Sequence, residues 1–182
     1  MNLIIRMMKY TVTAILLFLA TTFSFSQDTK YGVRAAYSIS NLNYSSVPVN
    51  DNPHRNGFVF GVFVDIGISD VFSIVPELHF SSEGADKEDF RNDYLNLPVT
   101  AKYNFAKKWT VGLGPQLGLK VNKKDDGFKN FVFAGVGLIE FKITEELSLD
   151  ARYNYGFSNV FDNHLMPEAK NEVIQLGINY KI

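Results

Sequence analysis

Alternation with a period of two recurs along this chain from Tyr31 to the C-terminal Ile182, and it limits the possible folds more than any other feature. A strand sends successive side chains to opposite faces, so such a run has two chemically distinct sides. Tyr31, Val33, Ala35, Tyr37 and Ile39 share one face, and Gly32, Arg34, Ala36, Ser38 and Ser40 share the other. The same pattern places Phe58 to Ile66 against Gly57 to Asp65, and Phe72 to Phe80 against Ser73 to Ser81. It continues with Leu95 to Tyr103 against Asn96 to Asn104, Trp109 to Leu119 against Thr110 to Lys120, Leu147 to Tyr155 against Ser148 to Asn154, and Ile174 to Ile182 against Gln175 to Lys181. A sixth segment, Phe131 to Ile143, is apolar or glycine on both faces until Glu140 and Lys142, so its phase stays open.

These segments have the length of tilted membrane-crossing strands, which need roughly 9–11 residues each. Beyond the N-terminal segment, no window approaches the roughly 18 apolar residues of a membrane helix. The expected connections alternate: 41–56, 82–93, 122–130 and 157–171 are long, whereas 67–71, 105–108 and 144–146 are short. An up-and-down transmembrane barrel with short periplasmic turns, longer extracellular loops and both termini in the periplasm has this rhythm. The expected fold is therefore all-β, an eight-stranded antiparallel barrel.

Charge decides which face meets lipid. Arg or Lys facing the bilayer midplane costs about 2–4 kcal/mol, and the apolar faces carry no such residue. The charged faces are expected to line the lumen, bringing Arg34, Lys102, Lys120 and Arg152 together with Asp65, Glu77, Asp150 and Glu140. An eight-stranded interior is just wide enough for side chains to fill, so an ion-pair network without a large open pore is expected. Tyr31, Tyr37, Phe58, Phe72, Phe80, Tyr103, Trp109, Tyr155 and Tyr180 are expected near strand ends, in interfacial girdles. Pro76, Pro98 and Pro115 cannot donate ladder hydrogen bonds, and are expected at bulges or barrel ends.

Upstream of the first strand, Met1 to Ser26 carries Arg6 and Lys9, then the apolar run Tyr10 to Ala20, then small residues ending in Ser24 and Ser26. This is the pattern of a signal peptide for the general secretory pathway, leaving 27–182 as the barrel domain. Its loss removes two of the 18 basic residues and none of the 19 acidic ones, for an exported net charge of −3. With no basic excess, a nucleic-acid partner is not expected. The absence of cysteine excludes disulfides and thiolate chemistry.

Several stretches together carry a family resemblance: YGVRAAYSISNL (31–42), YLNLPVTAKYNF (94–105), VGLGPQLGL (111–119), LSLDARYNYGFSNV (147–160) and the terminal IQLGINYKI. Over Gln27 to Ile182 the sequence resembles the outer-membrane β-barrel domain family common in Bacteroidota, porin-like or PorT-like, similar in architecture to the small OmpX and OmpA-type barrels. Ala36 departs from the glycine usual near that position. The resemblance implies a fold and an outer-membrane location; some relatives serve secretion, a role that fold alone does not transfer.

Chemistry-bearing residues are sparse. His54 and His164 fall in long connections near Asp51, Asp162 and Glu168, and His79 falls on the third strand. None has metal-ligand spacing, and Ser45, Ser46, Ser81 and Ser82 have no base defined by sequence. Gly112, Gly114 and Gly118 precede no helix and read as close packing or bulges, not a phosphate cradle. No cofactor or metal is expected. The reading is an outer-membrane barrel, not an enzyme, with a structural or surface-interaction role in its extracellular loops. Its partners are outer-membrane lipid and an unidentified protein at the loops or the periplasmic side. The alternatives are a transport- or secretion-associated component and a barrel enzyme using the loop histidines.

Overall fold

The computed structural model describes residues 29–44, 54–86, 91–122, 127–161 and 168–182. The expected leader, Met1–Ser26, lies outside them, as do Ser45, Ser46, Asp51, Asp162 and His164. Eight strands follow in chain order: β1 Thr29–Tyr44, β2 Arg55–Gly67, β3 Phe72–Gly84, β4 Arg91–Ala106, β5 Trp109–Lys120, β6 Phe131–Lys142, β7 Leu147–Gly156 and β8 Ala169–Lys181. Each pairs antiparallel with its neighbours, and β1 pairs with β8 from Gly32↔Lys181 to Tyr44↔Ala169, closing the barrel. Closure leaves no unpaired edge, which is what lets strands cross hydrocarbon.

Connections 68–71, 107–108 and 143–146 define a turn end, which also carries both ends of the described barrel, where the Ile182 amide donates to the Tyr31 carbonyl at 2.7 Å. Short hydroxylated turns suit this end: Ser69 Oγ accepts from the Val71 and Phe72 amides, and Thr144 Oγ1 from those of Glu146 and Leu147. Connections 45–54, 85–90, 121–130 and 157–168 define the opposite, loop end.

Strands run further toward the loop end than the alternation alone indicates. The expected loop 82–93 shrinks to 85–90, because Ser82–Gly84 complete β3 and Arg91–Asp93 open β4, with Ser82↔Asp93 and Gly84↔Arg91 paired. The charged residues there gave no apolar alternation to read, yet polar side chains are at no disadvantage in strands that outrun the bilayer. Gly84, at φ 94°, takes the left-handed conformation that ends β3.

The prolines are at neither bulges nor barrel ends. Pairing is interrupted beside each and resumes in the same register: Pro76↔Val99 and His79↔Asn96 bracket one gap, Pro98↔Gln116 and Ala101↔Leu113 another, Phe63↔Glu77 and Ile66↔Ile74 a third. A missing N–H costs a ladder bond, but flanking pairs on both sides hold the register. The register shift on β4–β5 lies elsewhere, between Asn104 and Ala106 beside the turn.

Burial alternates along every strand, with Phe58, Phe60, Leu113, Leu176 and Ile178 among the outward residues more than half exposed to the surroundings. Aromatic pairs edge this apolar wall: Phe72 on Tyr103 (4.7 Å between centroids) and Trp109 beside Phe141 (4.8 Å) at the turn end, Tyr37 on Phe58 (6.1 Å) toward the other. The open phase of β6 resolves with Val132, Ala134, Val136, Leu138 and Glu140 inward.

Candidate functional site

The inward phase of most strands is polar, β2 with Val59 and Phe63 and β6 being the exceptions, and in a narrow barrel those polar side chains must satisfy one another. Midway along the lumen they form a belt. Arg34 on β1 donates from Nε and Nη2 to the two oxygens of Asp150 on β7 (2.9 and 2.7 Å), and from Nη1 to Gln175 on β8 (2.9 Å). Arg152, two residues along β7, donates from Nη1 to both oxygens of Glu77 on β3 (2.9 Å each), and from Nε to Asp150 (3.2 Å). His79 Nε2 lies 2.6 Å from Glu77 Oε2. These five ionisable groups are each 5% exposed or less.

Asn179 extends the belt toward the turn end, donating to Asp150 (2.9 Å) and to Ser148 Oγ (3.4 Å). Ser148 donates to Glu140 (2.9 Å), which also accepts from Lys102 Nζ (2.6 Å). One connected chain therefore joins Lys102, Glu140, Asp150, Arg34, Arg152 and Glu77. Two other charges expected in the lumen stand apart from it: Asp65 accepts from Lys181 near the turn end (2.7 Å), and Lys120 lies toward the loop end with its ammonium 5.4 Å from the Phe128 ring. His79, Gln175, Ser148 and Asn179 are further members of the connected chain, and Lys181 is the partner of Asp65. The inward parity that places Arg34 and Asp150 also covers all five, so it was the signal that could have found them.

Small residues make room for the belt. A Cβ on Gly177 would sit 2.8 Å from both Arg34 Nη2 and Asp150 Oδ1, and one on Gly61 would sit 2.4 Å from the His79 ring. Gly112 likewise faces Leu138, so the inward apolar residues of β6 fill space that the β5 glycines leave.

The belt divides two dissimilar halves. Toward the turn end a cavity of about 920 Å³ opens between the short turns, lined by Lys30, Asp65, Lys102, Lys107, Glu140 and Lys142 among others. Toward the loop end Glu83 on β3 accepts from the side-chain amides of Asn96 (2.7 Å) and Asn171. Above it Leu42, Ala85, Phe128, Val160, Phe161 and Ala169 form a buried apolar cluster with Tyr44 packed against it. Arg55 ties the rim, donating to the carbonyls of Glu83 and Asn92 and to the Asp93 carboxylate.

The histidines are dispersed. His54 pairs through its backbone with Ala85 at the exposed loop end, whereas His79 is locked against Glu77 inside the barrel. Among the described residues no group of three or more His, Asp or Glu is placed to hold a metal ion.

A closed antiparallel barrel with an apolar exterior and a polar, paired interior defines a transmembrane β-barrel protein. The chain belongs to the outer membrane protein beta-barrel domain family, whose model matches residues 11–181, which makes it a protein of the bacterial outer membrane. Among solved structures it is similar to Neisserial surface protein A, at 15% identity over 86% of this chain and 100% of that one, with a TM-score of 0.57. It is also similar to Ail, the attachment invasion locus protein of Yersinia pestis, determined with the heparin analogue sucrose octasulfate, at 16% identity over the same shares and a TM-score of 0.52. At these identities the likeness is one of fold. Among curated proteins none matches the chain.

Proposed function

We propose that this protein is a non-conducting outer-membrane barrel with a structural or surface-interaction role exercised at its loop end, not an enzyme, exported by the general secretory pathway with residues 1–26 as the signal peptide that is cleaved off. In this reading the loop end faces outward and both termini face the periplasm. The observation that carries it is the belt from Arg34 to Glu77 across the lumen, with the apolar cluster around Phe161 beyond it. Two successive closures, one ionic and one apolar, oppose a continuous water column. In planar bilayers the purified barrel is expected to give no large, steady conductance, and a porin-sized open channel overturns the reading. Protease added to intact cells is expected to cut within 157–168; cutting at 107–108 inverts the orientation.

Ail was determined with a polysulfated ligand, but the charge of this chain disfavours the same chemistry. Connections 45–54, 85–90, 121–130 and 157–168 hold eight acidic against four basic residues. An acidic loop end repels a polyanion and suits a basic protein surface. A second reading, a transport- or secretion-associated component engaged from the periplasmic side, draws on the cavity at the turn end. Cross-linking in intact outer membranes separates the two, by whether the loop-end or the turn-end segment is captured.

A further inference from the structure

Among the described residues, Glu83 is the one lumenal carboxylate that has no ammonium or guanidinium in contact with its oxygens. Asp65 has Lys181, Glu140 has Lys102, and Asp150 and Glu77 have the two arginines. Glu83 is 3% exposed, and among the described residues the groups at its oxygens are neutral: the amides of Asn96 and Asn171 donate to it, and the Ser81 hydroxyl lies beside it. The nearby guanidinium of Arg55 contacts the Glu83 backbone carbonyl and is balanced by Asp93 at 3.0 Å. A buried carboxylate in such a setting needs a positive charge or a proton.

Beside it lies a cavity of about 20 Å³, with Glu83, Gln116, Asn154, Ser158 and Asn171 among its polar lining and Val132, Val160 and Val173 among its apolar lining. That volume accommodates one water-sized particle. Among the described residues, buried polar atoms without a protein partner gather around it: Oδ1 of Asn154, 4% exposed, and Oδ1 of Asn171 belong to residues that line the cavity, with Oδ1 of Asn96 and Asn92 and the Ser81 hydroxyl nearby. Because Asn96 and Asn171 give their amide nitrogens to Glu83, their oxygens are the ends left over. A Cβ on Gly118 would meet Asn96 Oδ1 at 2.7 Å, so the glycine there makes room for that oxygen.

We propose that this chamber binds one alkali-metal cation, held by Glu83 with amide oxygens from Asn154 and Asn171. Hard oxygen donors select alkali and alkaline-earth cations over transition metals. A single uncompensated carboxylate balances the one positive charge of an alkali cation and leaves a divalent cation short of neutralisation. The site would fasten β3 to β7 and β8 across the lumen, just below the apolar cluster.

The test uses the refolded wild-type barrel in detergent, heated in sodium, potassium or tetramethylammonium chloride at equal ionic strength, so that general screening is common to all three. Conversion from the folded to the unfolded form on a gel is expected at a midpoint about 3 °C or more higher in an alkali chloride than in tetramethylammonium. Glu83→Gln, which removes the charge and keeps the shape, is expected to abolish that difference. Asn154→Leu, which removes one oxygen, is expected to reduce it, and decides the matter if Glu83→Gln does not refold. Equal wild-type midpoints in all three salts overturn the proposal in favour of a protonated Glu83 beside a water molecule. A difference that persists in full in the variants places the cation elsewhere and overturns it equally.

Discussion

At the turn end the lumen is a cavity of about 920 Å³ edged by lysines, and its inner pairs, Lys102 with Glu140 and Lys181 with Asp65, stand at the border of water. At the loop end the equivalent depth is closed: Leu42, Phe128, Val160 and Phe161 cover a layer of asparagines around Glu83. The belt of Arg34, Asp150, Arg152 and Glu77 separates the two. Paired charges can border water because solvent supplies whatever their partners do not, whereas the enclosed half must satisfy polar atoms internally and exclude water with apolar side chains. A single barrel wall thus supports an accessible end and a sealed end, and the energetic weight of a lumenal contact should rise with its distance from the turn-end opening.

Breaking the belt should have the largest effect. Arg152→Ala leaves Glu77 and Asp150 each short of a guanidinium in the dry middle of the lumen, and a buried charge stripped of its partner costs about 3–5 kcal/mol. The temperature at which the fast-migrating folded form converts to the slow form should fall markedly. Leu149→Ile on the lipid face should scarcely change it, since the side chain stays in hydrocarbon. If both variants melted alike, the paired lumen would not be what holds the barrel.

Phe161→Ala comes next. It removes a ring packed 5.0 Å from that of Phe128 in the sealed end, at a cost of about 3 kcal/mol. Bilayer conductance should stay absent because the belt remains intact. A channel opening in this variant would transfer the closure from the belt to the apolar cluster, and would reverse the assignment of which barrier matters.

How much of this was legible beforehand follows from what alternation encodes. Where one face was charged, as with Arg34 on β1 or Asp150 and Arg152 on β7, parity alone indicated the inward residues, and barrel closure followed from a first and last strand with matching patterns. β6 was illegible because Val136 and Leu138 point inward while remaining apolar, packed where β5 offers glycines. Such compensation between neighbouring strands leaves no mark on either strand alone. Partner choice was equally hidden: nothing in the spacing joins Glu77 to Arg152 rather than to Lys102, since register and lumenal geometry decide it. The loop-end extension of β3 and β4 escaped because its residues are charged on both faces, beyond the reach of the lipid constraint.

At the turn end the contrast predicts weaker coupling. Lys102→Met leaves Glu140 with Ser148 as its donor beside the open cavity, where water can reach it, so the loss should be about 1–2 kcal/mol, below that of Arg152→Ala. The corresponding change in unfolding temperature should be measurable and smaller. A loss equal to that of Arg152→Ala would mean that this half of the lumen is as dry as the belt, and the division between halves would fail.

The smallest effect belongs to the solvent-exposed ion pair at the rim of that opening, between the end of β6 and the turn 143–146. Lys142 Nζ donates to Glu145 at 2.7 Å with both side chains open to solvent, 39% and 75% exposed. That hydrogen bond, aided by the lysine charge, holds the Glu145 carboxyl below the ordinary glutamate range. Because the folded state binds this proton less readily than the unfolded chain, any stability it contributes is present above the unfolded pKa and is lost as pH falls through the lowered, folded one. In Lys142→Met, the Glu145 titration followed by NMR should return upward to the ordinary range. The unfolding temperature at neutral pH should stay where it was, since solvent and salt screen an exposed pair. A fall in stability matching that of Lys102→Met would show that pairs within this opening and at its exposed rim carry equal weight, and that enclosure by the barrel does not set the strength of its charges.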